Sequence, residues 1–493
     1  MERGSGILMH ISSFPTNYGI GTMGSEAYRF VDFLQKSGQK YWQILPIGPT
    51  SYGDSPYQSF STFAGNPYFI DLDKLREEGA LNFEEYADLD WGSDREKVDY
   101  EKIFKNRFKV LQIAYSRDRQ RKREEIHKFR VENSYWIENY AMFMALKFAN
   151  NLTMYRTWGD DLVMRKPEAI IEVYNKLDQE IDFWVYVQFL FYKQWNALKE
   201  YANKQGIKII GDIPIYVAED SADAWSHNEV LMLEADGTPI KVAGCPPDGY
   251  APKGQLWGNP LYNWDYLKST NYEWWVQRLT AALKMYDIVR VDHFRAFDAF
   301  YAIEYGREDA TVGEWLKGPG NDFFNKIREI FGETPALIAE DLGTITDDVR
   351  ALLKYSGFPG MKVMQFGFTP GEDSDYLPHN YPKNSVVYIG THDNDTLKGW
   401  FNSQPEHVRR FAVDYLRLTE EEGFNWGFIK SMLGTVSDTA IITMQDILNL
   451  GSEARMNTPS TMGNNWNWRL KSMELLNDEL ASKLLKITKM YSR

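Results

Sequence analysis

Eight short apolar runs alternate with segments of helical period along this chain, and this alternation constrains the fold more than any other feature. Each run is rich in β-branched residues and is bounded by polar or turn residues, which is typical of a buried strand in a parallel sheet. Alternating strands and helices favour crossover connections, and eight such strands predict a (β/α)8 barrel, that is, a TIM barrel of the α/β class. The runs are residues 7–11, 40–45, 207–212, 287–292, 336–341, 361–366, 386–393 and 440–445.

The interval between the second and third runs is much longer than a single crossover helix. It covers about residues 48–205, and its stretches 136–148 and 183–201 have amphipathic helical spacing. We therefore expect a barrel that spans residues 1–493, with a large, mostly helical inserted subdomain between strands 2 and 3. A smaller loop insertion is expected at about residues 218–272, and extended loops are expected around the mouth.

Composition narrows the classes of function. The formal net charge of −14 disfavours nucleic acid as a partner, since phosphate binding relies on clusters of Lys and Arg. Aromatic residues make up 15% of the chain, and although most are expected in the core, aromatic faces also pack against sugar rings. The single cysteine, Cys245, excludes an internal disulfide and suits a reducing compartment. With no evident signal peptide and no apolar run of membrane-spanning length, we expect a cytoplasmic protein without a membrane partner.

Three of the apolar runs end in acidic residues, and these acids are the first candidates for chemistry. They are Asp292, Glu340 and Asp393. In a barrel of parallel strands, the carboxyl ends of all strands meet at one mouth, so acids that are distant in sequence become neighbours. Two or three carboxylates facing one cavity is the arrangement that cleaves glycosidic bonds.

The motif Arg290-Val-Asp292 places two charged side chains on one face of a strand, because alternate strand residues point the same way. A guanidinium beside Asp292 would keep the carboxylate ionised, as a nucleophile requires. A buried ion pair that only holds strands together explains the same pattern. Glu340 would need a raised pKa to act as a general acid, and the motif alone does not decide between Glu340 and the neighbouring Asp341.

His392 and Asp393 could together hold sugar hydroxyls and stabilise positive charge at the anomeric carbon. An Asx-type turn over residues 393–396 is the alternative explanation of this motif. The spacing does not match a catalytic metal site, and no phosphate-binding glycine loop follows a strand. We therefore expect neither a metal nor another cofactor.

Two loops have the composition of ligand-binding segments. Residues 54–68 mix aromatic, hydroxyl and amide side chains, and residues 244–260 are dense in Gly and Pro with polar and aromatic residues between them. Loops of this kind are often functional, although a plain structural connection would also account for them.

These residues resemble the motifs of the 4-α-glucanotransferases, also called amylomaltases, in family 77 of the glycoside hydrolases within the α-amylase superfamily. The similarity runs essentially from Gly6 to Arg469. The motifs are Ser55-Pro-Tyr-Gln-Ser, Gly211-Asp-Ile-Pro-Ile-Tyr, Trp257-Gly-Asn-Pro-Leu-Tyr, Arg290-Val-Asp-His-Phe-Arg, Ala339-Glu-Asp-Leu-Gly, Gly390-Thr-His-Asp-Asn-Asp-Thr and Met444-Gln-Asp.

The resemblance implies a role for each acid. Asp292 would be the nucleophile, Glu340 the acid and base, and Asp393 the residue that holds the ring hydroxyls of the distorted sugar. The substrate-binding residues that it implies are Arg290, His392, Asp212, Tyr57, Gln255 and Trp257.

The implied activity is transfer of α-1,4-glucan segments from a maltooligosaccharide or starch to the 4-hydroxyl of another glucan or glucose. The implied mechanism is a retaining double displacement without a cofactor, and the implied partners are α-1,4-glucans such as amylose, starch or glycogen. Residue chemistry alone leaves two alternatives open, an α-1,4-glucan hydrolase of the α-amylase class and a catalytically silent glucan-binding barrel. No motif points to an oligomeric state.

Overall fold

The strands of the computed structural model, which describes residues 2–51, 53–248 and 251–493, form two sheets. Eight of them pair in parallel, in the order β10-β11-β12-β1-β2-β3-β6-β9. The strands of the described residues are β1 Gly4–Leu8, β2 Tyr41–Gln43, β3 Lys208–Ile213, β4 Lys241–Cys245, β5 Gln255–Pro260, β6 Ile288–Val291, β7 Ala299–Glu304, β8 Glu314–Lys317, β9 Leu337–Ala339, β10 Gly360–Val363, β11 Ser385–Tyr388 and β12 Thr439–Thr443.

Helices separate most of the parallel strands, as crossover connections require. None of the helices in the described part of the chain is long and apolar enough to span a membrane. The α-helices are α1 Ser25–Lys36, α2 Leu72–Glu77, α3 Tyr100–Arg121, α4 Arg123–Glu132, α5 Ile137–Ala149, α6 Asp160–Val163, α7 Pro167–Lys176, α8 Asp178–Lys204, α9 Ala222–Ser226, α10 Trp264–Ser269, α11 Glu273–Met285, α12 Gly320–Phe331, α13 Asp347–Ser356, α14 Leu397–Ser403, α15 Glu406–Leu416, α16 Phe424–Leu433, α17 Met444–Ile447 and α18 Asp478–Met490.

The two edge strands of the parallel sheet, β9 and β10, approach each other and nearly close a barrel. The backbone N–H of Ala339 donates to the carbonyl of Pro359 across this seam (3.0 Å). The side chain of Asp341 adds a second link, because its Oδ1 accepts a hydrogen bond from the N–H of Met361 (2.6 Å). The predicted (β/α)8 barrel is therefore confirmed.

The barrel strands are apolar on both faces because both faces are covered. Their outward side chains join the large core under the helices, and their inward side chains form a separate cluster in the lumen. This double burial explains why the strands appear in the sequence as continuous apolar runs. The inward cluster contains Leu8, Tyr41, Ile210, Ile288, Ile338, Met361, Val363, Val386, Tyr388 and Ile441.

Helices α2 to α8 lie between β2 and β3, where the sequence predicted a helical insertion. The buried Lys147 of α5 forms an ion pair with Asp220, which follows β3, at 2.5 Å. This pair joins the helical region to the segment that leaves a barrel strand. The division into an inserted subdomain at about 48–205 and a smaller insertion at about 218–272 stays a prediction.

The segment between β3 and β6 contains two strands where the sequence predicted only a loop. β4 and β5 pair antiparallel, and β4 also pairs with β7, which in turn pairs with β8. The segment predicted as a smaller loop insertion thus carries an antiparallel ladder. The Gly and Pro residues around β4 and β5 are typical of loops, so the sequence does not indicate strands there. The partner of β4, β7, is also distant in sequence, so no local hairpin pattern joins the two.

Candidate active site at the carboxyl ends of the barrel strands

Asp292 and Glu340 occupy adjacent positions at the carboxyl ends of two paired strands. β6 and β9 run parallel with Val291 opposite Ala339, so the residue that follows each strand is one of the two acids. The N–H of Glu340 donates to the carbonyl of Val291 (3.0 Å), which continues the ladder to this point. Strand pairing therefore brings together two carboxylates that lie far apart in sequence.

Arg290 links two acids beneath the mouth of the barrel. Its guanidinium is 2.6 Å from Oδ2 of Asp212 through Nη1 and 2.9 Å from Oδ1 of Asp292 through Nη2. Arg290 and Asp212 are buried, whereas the side chain of Asp292 is 32% exposed. The same guanidinium thus makes both the buried ion pair with Asp212 and the contact with Asp292.

Glu340 lies in an environment that favours its protonated form. Burial, together with the negative charge of Asp292, raises the pKa of Glu340 to about 8, against opposing effects of Arg290 and two backbone hydrogen bonds. Its Oε2 accepts from the N–H of His293 and its Oε1 from the N–H of Leu342, both at 2.7 Å. A buried carboxyl with a raised pKa beside a second carboxyl is the pairing that acid–base chemistry needs.

His293 presents its backbone N–H to Glu340 from a left-handed conformation, with φ of 56°. Few residues with a Cβ adopt this conformation, and such strained positions concentrate at functional sites. The side chain of His293 meets the ring of Trp257 edge-on, with 4.8 Å between ring centroids. The turn after β6 therefore connects the two acids to an aromatic residue of β5.

Asp341 has a different position from Glu340, although the two residues are neighbours in sequence. Its buried carboxylate binds the N–H of Met361 at the seam between β9 and β10 and packs against Gly360, where an added Cβ would meet Oδ2 at 2.7 Å. The structure thus places Glu340 beside Asp292 and Asp341 in the barrel wall. This separates the two acids between which the motif did not decide.

His392 and Asp393 lie beyond the end of β11, in a turn. The prediction that Asp393 ends a strand was wrong, because β11 ends at Tyr388. The turn is held by Asn394, whose Oδ1 accepts from the N–H and the Oγ1 of Thr391, both at 2.9 Å. This contact runs back from Asn394 to Thr391 and is not the Asx-type turn considered for residues 393–396. The Asp393 side chain is 44% exposed.

Tyr57 joins Asp212 to His392. Its hydroxyl is 2.9 Å from Oδ2 of Asp212, to which it donates, and 2.9 Å from Nε2 of His392. The rings of Tyr57 and His392 stack with 5.3 Å between their centroids. The Tyr57 hydroxyl is therefore engaged by protein groups, and one face of its ring lies against His392. Burial raises the pKa of the Asp212 carboxyl.

Gln255 and Trp257 are on β5, and the indole Nε1–H of Trp257 donates to Oε1 of Gln255 (3.1 Å). Trp257 is close to the acids through its contact with His293, as described above. Gln255 therefore orients the indole, which is a role beyond the glucan contact predicted for it. Gly249 and Tyr250, in the same predicted ligand loop, lie outside the described residues.

Three residues at this site were not predicted from the sequence, and all come from the loop after β12. Asn457 Nδ2 donates to Oδ1 of Asp393 (2.7 Å), and Arg455 Nη2 donates to the backbone carbonyl of Asp393 (2.8 Å). The ring of Trp466 lies near the rings of His392 and Tyr57. This polar loop after the last strand carries no local pattern that would identify them.

No group of His, Cys, Asp and Glu with the arrangement of a metal site occurs among residues 2–51, 53–248 and 251–493. The acids of the site are instead surrounded by Arg290, backbone N–H groups and aromatic rings, as the preceding contacts show.

A family model described as 4-alpha-glucanotransferase matches residues 9–475 of the chain. The chain is 50% identical to a 4-alpha-glucanotransferase of Clostridium butyricum, over 98% of this chain and 100% of that protein. It is 45% identical to a 4-alpha-glucanotransferase of Thermus thermophilus, over 96% of each chain. Its structure is similar to that of an amylomaltase from Streptococcus agalactiae in complex with acarbose, with a TM-score of 0.97, 42% identity and full coverage of both chains.

Proposed function

This chain belongs to the 4-alpha-glucanotransferase family, and we propose that Asp292, Glu340 and Asp393 carry out its transfer reaction on α-1,4-glucans. The family resemblance and the enzyme class predicted from the sequence are confirmed. The observation that supports the residue assignment best is the adjacency of Asp292 and Glu340, with burial and the charge of Asp292 raising the pKa of Glu340.

In the first half-reaction, the Asp292 carboxylate attacks the anomeric carbon of the donor. The bond from that carbon to the glycosidic oxygen breaks, and Glu340 gives its proton to the departing oxygen. The products are a β-glucosyl ester of Asp292 and a shortened glucan with a new 4-hydroxyl. Paired strands lie about 4.8 Å apart, which is compatible with the carboxyl separation of about 5–5.5 Å in retaining glycosidases.

In the second half-reaction, Glu340 acts as the base. Formation of the ester removes the negative charge of Asp292, which is one of the two causes of the raised Glu340 pKa. The deprotonated Glu340 then takes the proton from the 4-hydroxyl of an acceptor glucan, whose oxygen attacks the anomeric carbon and releases Asp292. Two inversions at one carbon retain the α-configuration.

Asp393 and its neighbours hold the sugar that changes shape. The half-exposed Asp393 carboxylate is available to the hydroxyls of a sugar ring bound in the mouth of the barrel. Its negative charge stabilises the positive charge of an oxocarbenium-like transition state. The Arg290 guanidinium pairs with Asp292 at 2.9 Å. The ring faces of Tyr57 and Trp257 offer apolar surfaces for the C–H faces of sugar rings.

We also infer neutral α-1,4-glucans as the partners and the cytoplasm as the working compartment. The solved relative from Streptococcus agalactiae is in complex with acarbose, which supports a saccharide-binding mouth. The single cysteine of the sequence supports a reducing compartment.

Incubation with maltotriose tests the proposed reaction, with product length and total reducing ends followed together. We expect glucose and a ladder of longer glucans at a constant number of reducing ends, because each transfer makes one α-1,4 bond for each bond that it breaks. The Asp292→Asn variant, which keeps the side-chain volume, should make no products. A rising number of reducing ends with only shorter products would instead indicate hydrolysis.

A further inference from the structure

Among the described residues, Asn457 is the one whose side chain donates a hydrogen bond to the Asp393 carboxylate. Asn457 Nδ2 lies 2.7 Å from Oδ1, and the next polar group, Nε2 of His392, lies 3.4 Å from the same oxygen. Within the described part of the chain, no protein group donates a hydrogen bond to Oδ2. One oxygen of this carboxylate is therefore occupied by protein, and the side chain as a whole is 44% exposed.

The backbone of Asp393 is held by the same segment. Arg455 Nη2 donates to the carbonyl of Asp393 (2.8 Å), and the N–H of Asn457 donates to the carbonyl of His392 (3.1 Å). Arg455 also binds the carbonyl of Asn457 through Nε (2.7 Å), which stiffens the segment itself. Residues 455–457 thus hold both the main chain and the side chain of the turn that bears Asp393.

The other end of this loop also reaches the site. The N–H of Trp466 donates to the carbonyl of Met456 (2.7 Å), and this bond closes the loop over residues 457–465. The Trp466 ring lies 5.9 Å from the His392 ring and 5.7 Å from the Tyr57 ring, measured between centroids. The position of Asn457 is therefore coupled to the aromatic residues around Asp393.

We propose that Asn457 is a positioning residue that fixes the Asp393 carboxylate, so that Oδ2 faces the sugar bound for transfer. This inference rests on the role of Asp393 in the proposed function. An exposed Asp side chain samples several rotamers, and ordering it during the reaction would cost free energy at that moment. A neutral amide donor orders the carboxylate beforehand and leaves its negative charge intact, whereas a cationic donor would neutralise it.

The Asn457→Ala variant should lower kcat/KM for maltotriose disproportionation by about 10- to 100-fold, the range that corresponds to a hydrogen bond with a charged group. The matched control is Asn465→Ala, because Asn465 holds the same loop through the N–H of Thr458 (3.0 Å) and the carbonyl of Thr461 (3.0 Å). The control should keep most of its activity. Equal losses in the two variants would mean that Asn457 only orders the loop, and would overturn the proposal.

A double-mutant cycle with Asp393→Asn tests whether Asn457 acts through Asp393. In the Asp393→Asn background, the further change Asn457→Ala should cost much less than it costs in the wild type, since the charged acceptor is already gone. Fully additive losses would overturn the proposal. If Asp393→Asn alone retained wild-type activity, the role of Asp393 in the proposed function would fail as well, so the two failures are distinguishable.

The nearly isosteric variant Asn457→Asp gives a second, independent readout through pH. It places a carboxyl where an amide donor stood, so two negative charges repel at neutral pH, whereas one shared proton restores a hydrogen bond at lower pH. The ratio of variant to wild-type kcat/KM should therefore rise as pH falls. A ratio that does not change with pH would contradict the assigned contact, even if the alanine variant failed to fold.

Discussion

At the scale of single residues, Glu340 and Asp292 differ in their surroundings. Both carboxyls sit at strand ends, but Arg290 pairs directly with Asp292, while burial and the charge of Asp292 raise the pKa of Glu340 to about 8. One pair of strands thus holds two adjacent carboxyls in different surroundings, with a guanidinium beside Asp292 and burial around Glu340.

This difference predicts the alkaline limb of the pH profile. Since Glu340 must be protonated to act as an acid, kcat/KM for maltotriose should fall as pH rises through about 8. A donor with a good leaving group, such as α-maltosyl fluoride, needs no proton at the departing atom. The rate of formation of the glucosyl ester from that donor should therefore show no decline near this pH.

Single-turnover measurements with both donors across the pH range would check this expectation. Glu340→Gln is the matched variant, because it should lose the maltotriose reaction while retaining ester formation from the fluoride. The same alkaline decline with both donors would assign the titration to a group other than Glu340.

At the scale of secondary-structure elements, the seam between β9 and β10 is where the two edge strands of the barrel sheet meet. These two strands do not form a paired ladder in the sheet, and a backbone hydrogen bond together with Asp341 links them. The acid beside Glu340 therefore serves the architecture, since a buried N–H without an acceptor would lower the stability of the barrel.

Asp341→Ala should lower the free energy of unfolding by about 1–3 kcal/mol, because the N–H of Met361 loses its acceptor in a buried place. Asp341→Asn keeps an oxygen acceptor and should lose less. Urea unfolding together with maltotriose turnover at low temperature would measure both effects. Full stability with abolished turnover in the alanine variant would instead indicate that Asp341 takes part in the chemistry.

At the scale of the whole molecule, the helices between β2 and β3 must be held against the barrel that they flank. The buried Lys147 of α5 spans this boundary through its ion pair with Asp220, and it also donates to the carbonyls of Leu152 and Thr153. Tyr57, which reaches Asp212 and His392, belongs to the same long interval of sequence. The attachment of the helical region to the barrel therefore affects the position of Tyr57 in the candidate active site.

Asp220→Ala should destabilise the protein by about 3 kcal/mol, since the buried Lys147 ammonium loses the carboxylate with which it forms an ion pair. The comparison variant is Lys36→Ala, which removes an exposed ion pair with Asp478 and should change stability little. Chemical unfolding of the two variants side by side is the measurement. Equal, small effects would show that the buried pair contributes no more than a surface pair.

The sequence by itself determined the barrel and the family. Strands covered on both faces must be apolar throughout, so their number and their alternation with helices can be recognised locally, and the motifs around Asp292, Glu340 and Asp393 resemble a single family. The sequence alone reveals these strands because burial on both faces requires each strand to be apolar throughout, and that pattern lies within the strand's own residues.

Only the tertiary structure decided which groups touch. Asp341 could be separated from Glu340 only once β10 was in place beside β9, and Asn457 reaches Asp393 across 64 residues of sequence. β4 and its partner β7 are also far apart in sequence, and the two partners of the Tyr57 hydroxyl lie 155 and 335 residues away from it. Hydrogen bonds and ion pairs between remote segments depend on how the chain closes in space, which hydrophobic periodicity and short motifs do not specify.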